Sequence, residues 1–154
     1  MKNRLFSIIL SIILCIGLFP TTALADTTMI YIGGVMLQSG NYLASGSDAQ
    51  TDEKPSGGYA YLEYENGEAT LTLNNFVYTG DSGYEDAMID TAEGMLIINL
   101  IGKNALTDTG YTDNIDTGFK YGILNEMSDS VTRITGDGSL DIKSYYAGIS
   151  ASNV

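Results

Sequence analysis

The sequence predicts an all-β protein, organised as a right-handed parallel β-helix that is preceded by N-terminal β-hairpins. Three observations support this prediction. From residue 26 onward, β-branched and aromatic residues alternate with frequent Gly, Asn and Asp, a composition typical of short strands joined by tight turns. Two-residue turn signals occur in the first half of the chain, and apolar residues recur at regular spacings in the second half.

The first hairpin is predicted by two adjacent glycines. Gly33 and Gly34 separate the apolar residues 29–32 from residues 35–37. A two-residue hairpin turn of this type needs positive φ at both corners, which glycine adopts without steric cost. We therefore expect an antiparallel pair across this turn.

The second hairpin is predicted by Asn66 and Gly67, a pair that is among the strongest short-range hairpin signals. The flanking residues, Glu65 and Glu68, would then face each other and repel. Before this hairpin, the polar segment 45–58 is predicted to be a surface loop.

A repeat in the second half predicts the stacked units of the β-helix. Apolar residues are separated by 8 and then 9 positions in two sets, which are Ile89, Ile97 and Leu106, and Ile123, Val131 and Leu140. The longer interval between the two sets, from Leu106 to Ile123, predicts an inserted loop within residues 107–118. Each unit would supply three short strands, and stacked units bury their inward side chains in a shared core.

Local matches between segments agree with this repeat. Residues 121–123 match residues 147–149, and residues 101–106 match residues 135–140. The alternatives are an antiparallel β-sandwich, which gives short strands without a fixed period, and a leucine-rich repeat. The leucine-rich pattern is interrupted because Asn99 occupies one of its apolar positions.

Residues 1–25 are predicted to be a secretory signal peptide. Lys2 and Arg4 precede an apolar run, and the small-x-small pattern of residues 23–25 ends the segment. The run is shorter than the roughly 20 residues that span a bilayer, and Cys15 would leave with the signal. Residues 26–80 are then expected to hold the hairpins that cap the solenoid, and residues 81–154 its rungs, truncated at the C-terminus. These boundaries predict a secreted protein or a cell-surface protein. At the cell surface, the protein would be attached through a missing C-terminal region.

Charge and composition exclude several classes of function. Residues 26–154 contain nineteen acidic and five basic residues, a net charge of −14. Nucleic acids and anionic membranes would be repelled, so we expect neither as a partner and no membrane insertion after signal cleavage. The chain has no histidine, which excludes the Ser-His-Asp triad and histidine-ligated zinc.

Residues 68–75 and the Ile-Thr-Gly-Asp-Gly-Ser-Leu segment at 134–140 resemble a known group. The pattern, over residues 29–154, is similar to secreted β-helix repeat proteins of Gram-positive bacteria, commonly described as carbohydrate-binding-domain-containing surface proteins. The resemblance implies a surface protein that binds glycans. Such proteins are longer, which implies that this chain is a fragment. The resemblance carries over no catalytic residue.

Tyrosines are the first candidates for a binding site, because exposed aromatic rings stack on sugar rings. Alternation along a strand places Tyr59 and Tyr61 on one face. The candidate ligand-binding residues are Tyr59, Tyr61, Tyr64, Tyr145 and Tyr146. The competing interpretation is that these rings only cover the open end of the solenoid.

Acidic residues are the second candidates. Asp108, Asp113 and Asp116 cluster in the predicted inserted loop, and calcium takes six to eight oxygen ligands. Calcium is therefore the one cofactor that the sequence suggests, although the spacing matches no EF-hand. Solvated loop charge is the competing interpretation.

Catalysis is a further hypothesis, because β-helix scaffolds also host polysaccharide lyases and hydrolases. A lyase needs a basic residue, and Arg133 with Lys103 or Lys143 would supply it; a hydrolase needs facing carboxylates. No catalytic residue is assigned. The sequence favours a secreted or surface binding or adhesion module with polysaccharide as ligand, and the alternative is a structural spacer without a ligand.

Overall fold

The computed structural model describes residues 29–81, 86–110 and 120–154. Within these ranges the chain forms β-strands joined by turns, so the predicted all-β class is confirmed. The described residues contain no helix that is long and apolar enough to cross a membrane. The predicted signal peptide lies outside the described residues.

Fourteen strands are found in these ranges. They are β1 (Met29–Ile32), β2 (Val35–Gln38), β3 (Tyr42–Ala44), β4 (Gln50–Thr51), β5 (Tyr59–Glu65), β6 (Glu68–Asn74), β7 (Val77–Gly80), β8 (Ala87–Thr91), β9 (Met95–Ile101), β10 (Lys103–Asp108), β11 (Tyr121–Asn125), β12 (Val131–Gly136), β13 (Ser139–Lys143) and β14 (Ala147–Ser150). They form three open, mixed or parallel sheets. The strand orders are β12-β9-β6-β5-β3-β4, β14-β11-β8-β1-β2 and β13-β10-β7.

The first predicted hairpin is confirmed. Strands β1 and β2 pair antiparallel with Ile32 opposite Val35. The turn residues Gly33 and Gly34 have φ values of 56° and 78°, and positive φ at both corners is what a two-residue turn of this type requires.

The second predicted hairpin is confirmed in the same detail. Strands β5 and β6 pair antiparallel, with Glu65 opposite Glu68. Asn66 has φ 54° and Gly67 has φ 86°, and asparagine is one of the few other residues that tolerate this region. The segment 45–58 is less irregular than expected, because β4 lies within it and pairs with β3.

The rest of the chain is organised as three units of three strands each. Unit 1 comprises β6 to β8, unit 2 comprises β9 to β11, and unit 3 comprises β12 to β14. Each strand pairs in parallel with the corresponding strand of the next unit, in all three sheets. Parallel pairing begins at β6, which lies within residues 26–80, the segment expected to hold the capping hairpins.

One sheet has the register that the local sequence matches predict. Tyr121 pairs with Ala147 and Ile123 pairs with Ile149, and Ile123 also pairs with Ile89 on its other side. The match between residues 121–123 and 147–149 is therefore confirmed.

In the other two sheets the predicted register between units 2 and 3 is wrong by two residues. Leu106 pairs with Ile142 and not with Leu140, and Val131 pairs with Met95 and not with Ile97. Side chains alternate between faces with a period of two, so a shift of two residues keeps every apolar side chain on the same face. The apolar pattern therefore cannot distinguish the two registers.

The predicted insertion falls at the corner between β10 and β11. Residues 109–120 separate β10 from β11, whereas residues 81–86 separate β7 from β8 and residues 144–146 separate β13 from β14. Residues 111–119 lie outside the described ranges. The longer corner explains why the apolar spacing is interrupted there.

Apolar residues from all three sheets pack into one core cluster. One row of this core runs through Leu62, Leu71, Ile98 and Ile134 on β5, β6, β9 and β12. The first three residues are fully buried, whereas Ile134 is 41% exposed. Antiparallel strands thus cover the core at unit 1, and its apolar surface becomes accessible at unit 3.

Two buried asparagines cross-link the units. Asn104 Oδ1 accepts a hydrogen bond from the Phe76 backbone N–H at 2.8 Å, and its Nδ2 donates to the carbonyl oxygens of Ile101 and Ser139. One side chain therefore joins all three units. Asn125 Oδ1 accepts from the Glu93 N–H, and its Nδ2 donates to the Glu93 carbonyl oxygen. Such bonds satisfy backbone groups that the corners remove from the strand ladders.

Candidate functional site

The outward face of the six-stranded sheet carries a continuous row of side chains, which we call the polar row. It consists of Tyr42, Tyr61, Thr72, Asn99 and Thr135, which are direct neighbours on β3, β5, β6, β9 and β12. All five side chains are half-buried. With strands about 4.8 Å apart, five strands make a track roughly 19 Å long.

The tyrosine end of the polar row is built by aromatic packing across strands. The rings of Tyr42 and Tyr61 are stacked, with centroids 4.4 Å apart and an interplanar angle of 28°. The pKa of Tyr61 is raised, mainly by burial and further by the negative charges of Glu63 and Glu65. Tyr61 therefore stays a neutral phenol that can donate and accept hydrogen bonds.

Tyr59 belongs to the same group of rings but is 8% exposed. Its ring meets that of Tyr42 edge-on at 5.3 Å, and its hydroxyl accepts a hydrogen bond from Asn74 Nδ2. Lys54 Nζ lies 5.3 Å from its ring centroid. Tyr59 therefore supports its neighbours and presents little surface to a ligand.

Alternation along β5 places Tyr64 on the opposite face from Tyr59 and Tyr61. Tyr64 is half-buried and packs against the hydrophobic core. The structure thus joins Tyr59 and Tyr61 with Tyr42, which the sequence did not single out. The signal for Tyr42 would have been the pairing of β3 with β5, and this pairing is not evident from local turn residues.

The other predicted tyrosines form a second cluster at the last corner. The rings of Tyr145 and Tyr146 meet edge-on at 5.2 Å, and those of Tyr121 and Tyr146 lie nearly parallel at 6.4 Å. Tyr146 is 61% exposed. Nearby in sequence, Lys120 Nζ donates to Asp86 Oδ1 at 2.5 Å, which raises the pKa of Lys120.

The predicted calcium residues are only partly described. Asp108 is 5% exposed at the end of β10, whereas Asp113 and Asp116 lie outside the described residues. In residues 29–81, 86–110 and 120–154, no group of three or more His, Cys, Asp or Glu side chains is placed to hold a metal ion. The calcium site stays a prediction.

The cations considered for a lyase belong to different sheets. Arg133 lies opposite Ile97 on the six-stranded sheet and is exposed. Lys103 and Lys143 lie on β10 and β13 of the three-stranded sheet. The strand registers therefore do not bring Arg133 beside either lysine.

Comparison with protein-family models, with curated proteins and with solved structures found no match. The resemblance to secreted surface proteins therefore stays an expectation based on residue patterns. The function has to be argued from the geometry of the polar row and of the second tyrosine cluster.

Proposed function

We propose that the protein is an exported binding module that holds a neutral polysaccharide along the polar row. The single observation that carries this proposal is the continuity of the row over five adjacent strands. The spacing of about 4.8 Å between strands is close to the length of one sugar ring in an extended chain. Successive sugars would thus meet successive side chains.

The chemistry of the polar row suits a glycan. The hydroxyls of Thr72 and Thr135 and the amide of Asn99 both donate and accept hydrogen bonds, as sugar hydroxyls do. Tyr61 adds an aromatic ring, on which the apolar face of a sugar can rest. The net charge of −14 over residues 26–154 disfavours acidic glycans by repulsion. A neutral chain is therefore the proposed ligand.

We further propose that the three units are consecutive coils of a right-handed parallel β-helix. The support is the parallel pairing of every strand in one unit with its counterpart in the next. Right-handedness is expected from the general preference of parallel crossovers. The alternative is a β-sandwich, in which neighbouring strands would pair antiparallel. Stacked coils would keep the polar row straight and rigid.

Binding is tested by affinity gel electrophoresis of the full chain through gels that contain a soluble β-glucan, xylan, mannan or polyuronate. We expect retardation by at least one neutral polymer and none by the polyuronate. Tyr61→Ala and Asn99→Ala should each weaken retardation by about tenfold, which corresponds to the loss of one good contact. Thr107→Ala is the control, because Thr107 is also half-buried but lies on the three-stranded sheet. This variant should bind normally.

A structural spacer without a ligand is the second candidate. It is favoured by the burial of Tyr59 and by the mutual stacking of Tyr42 and Tyr61, which covers part of both rings. The spacer predicts no retardation in any gel. Equal weakening by Thr107→Ala and Asn99→Ala would also count against the polar row as the binding surface.

A further inference from the structure

A cavity of about 440 Å³ lies where the three-stranded and five-stranded sheets meet at unit 3. Its walls come from Asp108, Ile142, Lys143, Ser144, Tyr146, Ala147 and Gly148. This volume is in the range that small ligands occupy. The walls combine a half-buried aliphatic side chain, Ile142, with the largely exposed ring of Tyr146.

Asp108 gives this cavity its chemistry. The residue is only 5% exposed, and its Oδ1 accepts a hydrogen bond from the Gly110 backbone N–H at 2.8 Å. Oδ2 is also buried but accepts no hydrogen bond from the part of the chain that the structure describes. A buried carboxylate oxygen without a donor is unfavourable, and most such atoms in folded proteins are paired. A ligand that brings a donor into the cavity would remove this penalty.

The surrounding charge favours a positively charged donor. The pKa of Tyr78 is raised, mainly by burial and then by the negative charges of Asp81 and Asp108. Asp81 and Asp108 therefore both place negative charge near Tyr78. Lys143 lines the cavity with an exposed side chain, and no ion pair joins it to Asp108 within the described ranges.

We propose that this cavity binds a primary ammonium group carried on a small polar ring, such as an amino sugar. The ammonium donates to Asp108 Oδ2, and hydrogen bonds between charged partners are stronger than neutral ones. The carbon skeleton packs on Ile142 and on the ring of Tyr146, whose face also attracts a cation. The site is separate from the polar row, which lies on the six-stranded sheet, so the two proposals succeed or fail independently.

Three sugars that differ only at the C2 substituent test the proposal. Glucosamine carries an ammonium group, glucose a hydroxyl and N-acetylglucosamine a neutral amide. Each is titrated into the full chain at mildly acidic pH and followed by amide chemical shifts in NMR. We expect saturable shifts at Ser144 and Gly148 with glucosamine, and binding at least about tenfold weaker with the other two.

Two variants assign the binding to the cavity. Asp108→Asn keeps the shape and removes the charge, and it should weaken glucosamine binding by about ten- to a hundredfold. Asp137→Asn, at an exposed aspartate outside the cavity wall, is the matched control and should leave binding unchanged. Tyr146→Ala, at an exposed ring, should weaken binding severalfold without unfolding the protein, so the test holds even where Asp108→Asn fails to fold.

Equal binding of glucose and glucosamine would overturn the ammonium proposal. It would show that hydroxyl groups suffice. The absence of saturable shifts with glucosamine, or full affinity in a folded Asp108→Asn variant, would overturn it as well.

Discussion

The N-terminal hairpins and the three parallel units differ in how far apart their paired residues lie in the sequence. In the hairpins β1–β2 and β5–β6, the innermost partners are separated only by a two-residue turn. In the parallel units, partners are between 26 and 36 residues apart. Turn chemistry therefore fixes the first kind of pairing, whereas corner lengths and buried side chains fix the second.

Corners of unequal length change the register between parallel strands. Partners are 36 residues apart both between β9 and β12 and between β10 and β13, so the corners at Gly102 and Gly138 keep one register. The corner after β8 covers residues 92–94, and the corner after β11 covers residues 126–130. The two extra residues after β11 move the register by two positions, from 34 residues between the partners on β8 and β11 to 36 between those on β9 and β12. A shift of two leaves the apolar pattern unchanged. The buried contacts of the parallel units must therefore select the register.

The largest effect is expected in the core row that links the two regions. Ile98→Ala should lower the free energy of unfolding by about 2 to 5 kcal/mol, because Ile98 is fully buried. Ile134→Ala, at the next position of the same row but 41% exposed, should cost about 1 kcal/mol. Urea denaturation measures both. Equal losses would show that unit 3 is covered as well as unit 2.

Glycines with positive φ separate conformational strain from steric crowding. A Cβ added at Gly34, in the first hairpin turn, would meet no atom within 4 Å, whereas a Cβ at Gly136 would lie 2.2 Å from the Leu100 carbonyl oxygen. Gly34→Ala should therefore cost about 1 kcal/mol, from backbone strain alone. Gly136→Ala should cost about 3 kcal/mol, because crowding adds to strain. Thermal melts of both variants make this comparison, and similar midpoints would contradict the close approach of units 2 and 3.

Asn104, which joins all three units, should contribute less to stability than the core residues but more than a surface residue. Asn104→Ala leaves the Phe76 N–H without its hydrogen bond, at a cost of about 2 kcal/mol for the buried groups affected. Asn99→Ala is the control, since its amide lies 3.5 Å from Thr72 Oγ1, and it should change stability by less than about 0.5 kcal/mol. Chemical denaturation would contradict this account if the two variants lost equal stability.

The smallest effect is expected at the second hairpin. Glu65 and Glu68 face each other, so Glu68→Lys replaces repulsion by attraction and should raise stability by a few tenths of a kcal/mol. Added salt should reduce this gain. Glu63→Lys, opposite Thr70, is the control and should give no comparable gain. A salt-independent effect would point to a cause other than charge.

How much of the structure the sequence predicts differs between the hairpins and the parallel units. The turns at Gly33-Gly34 and Asn66-Gly67 were predictable because their dihedral requirements are local. The insertion after β10 was predictable because it interrupts the apolar spacing. Asp108 was expected in a solvated loop, but β10 extends to it and alternation places its side chain inward with Leu106. The polar row required the lateral order of five strands, which no local signal encodes.

Backbone NOE contacts between β10 and β13 test the parallel arrangement of the units most directly. The structure predicts a parallel pattern in which Leu106 contacts Ile142 and its immediate neighbours. An antiparallel pattern, or contacts of Leu106 centred on Leu140, would contradict the in-register stacking from which the polar row and the Asp108 cavity are built.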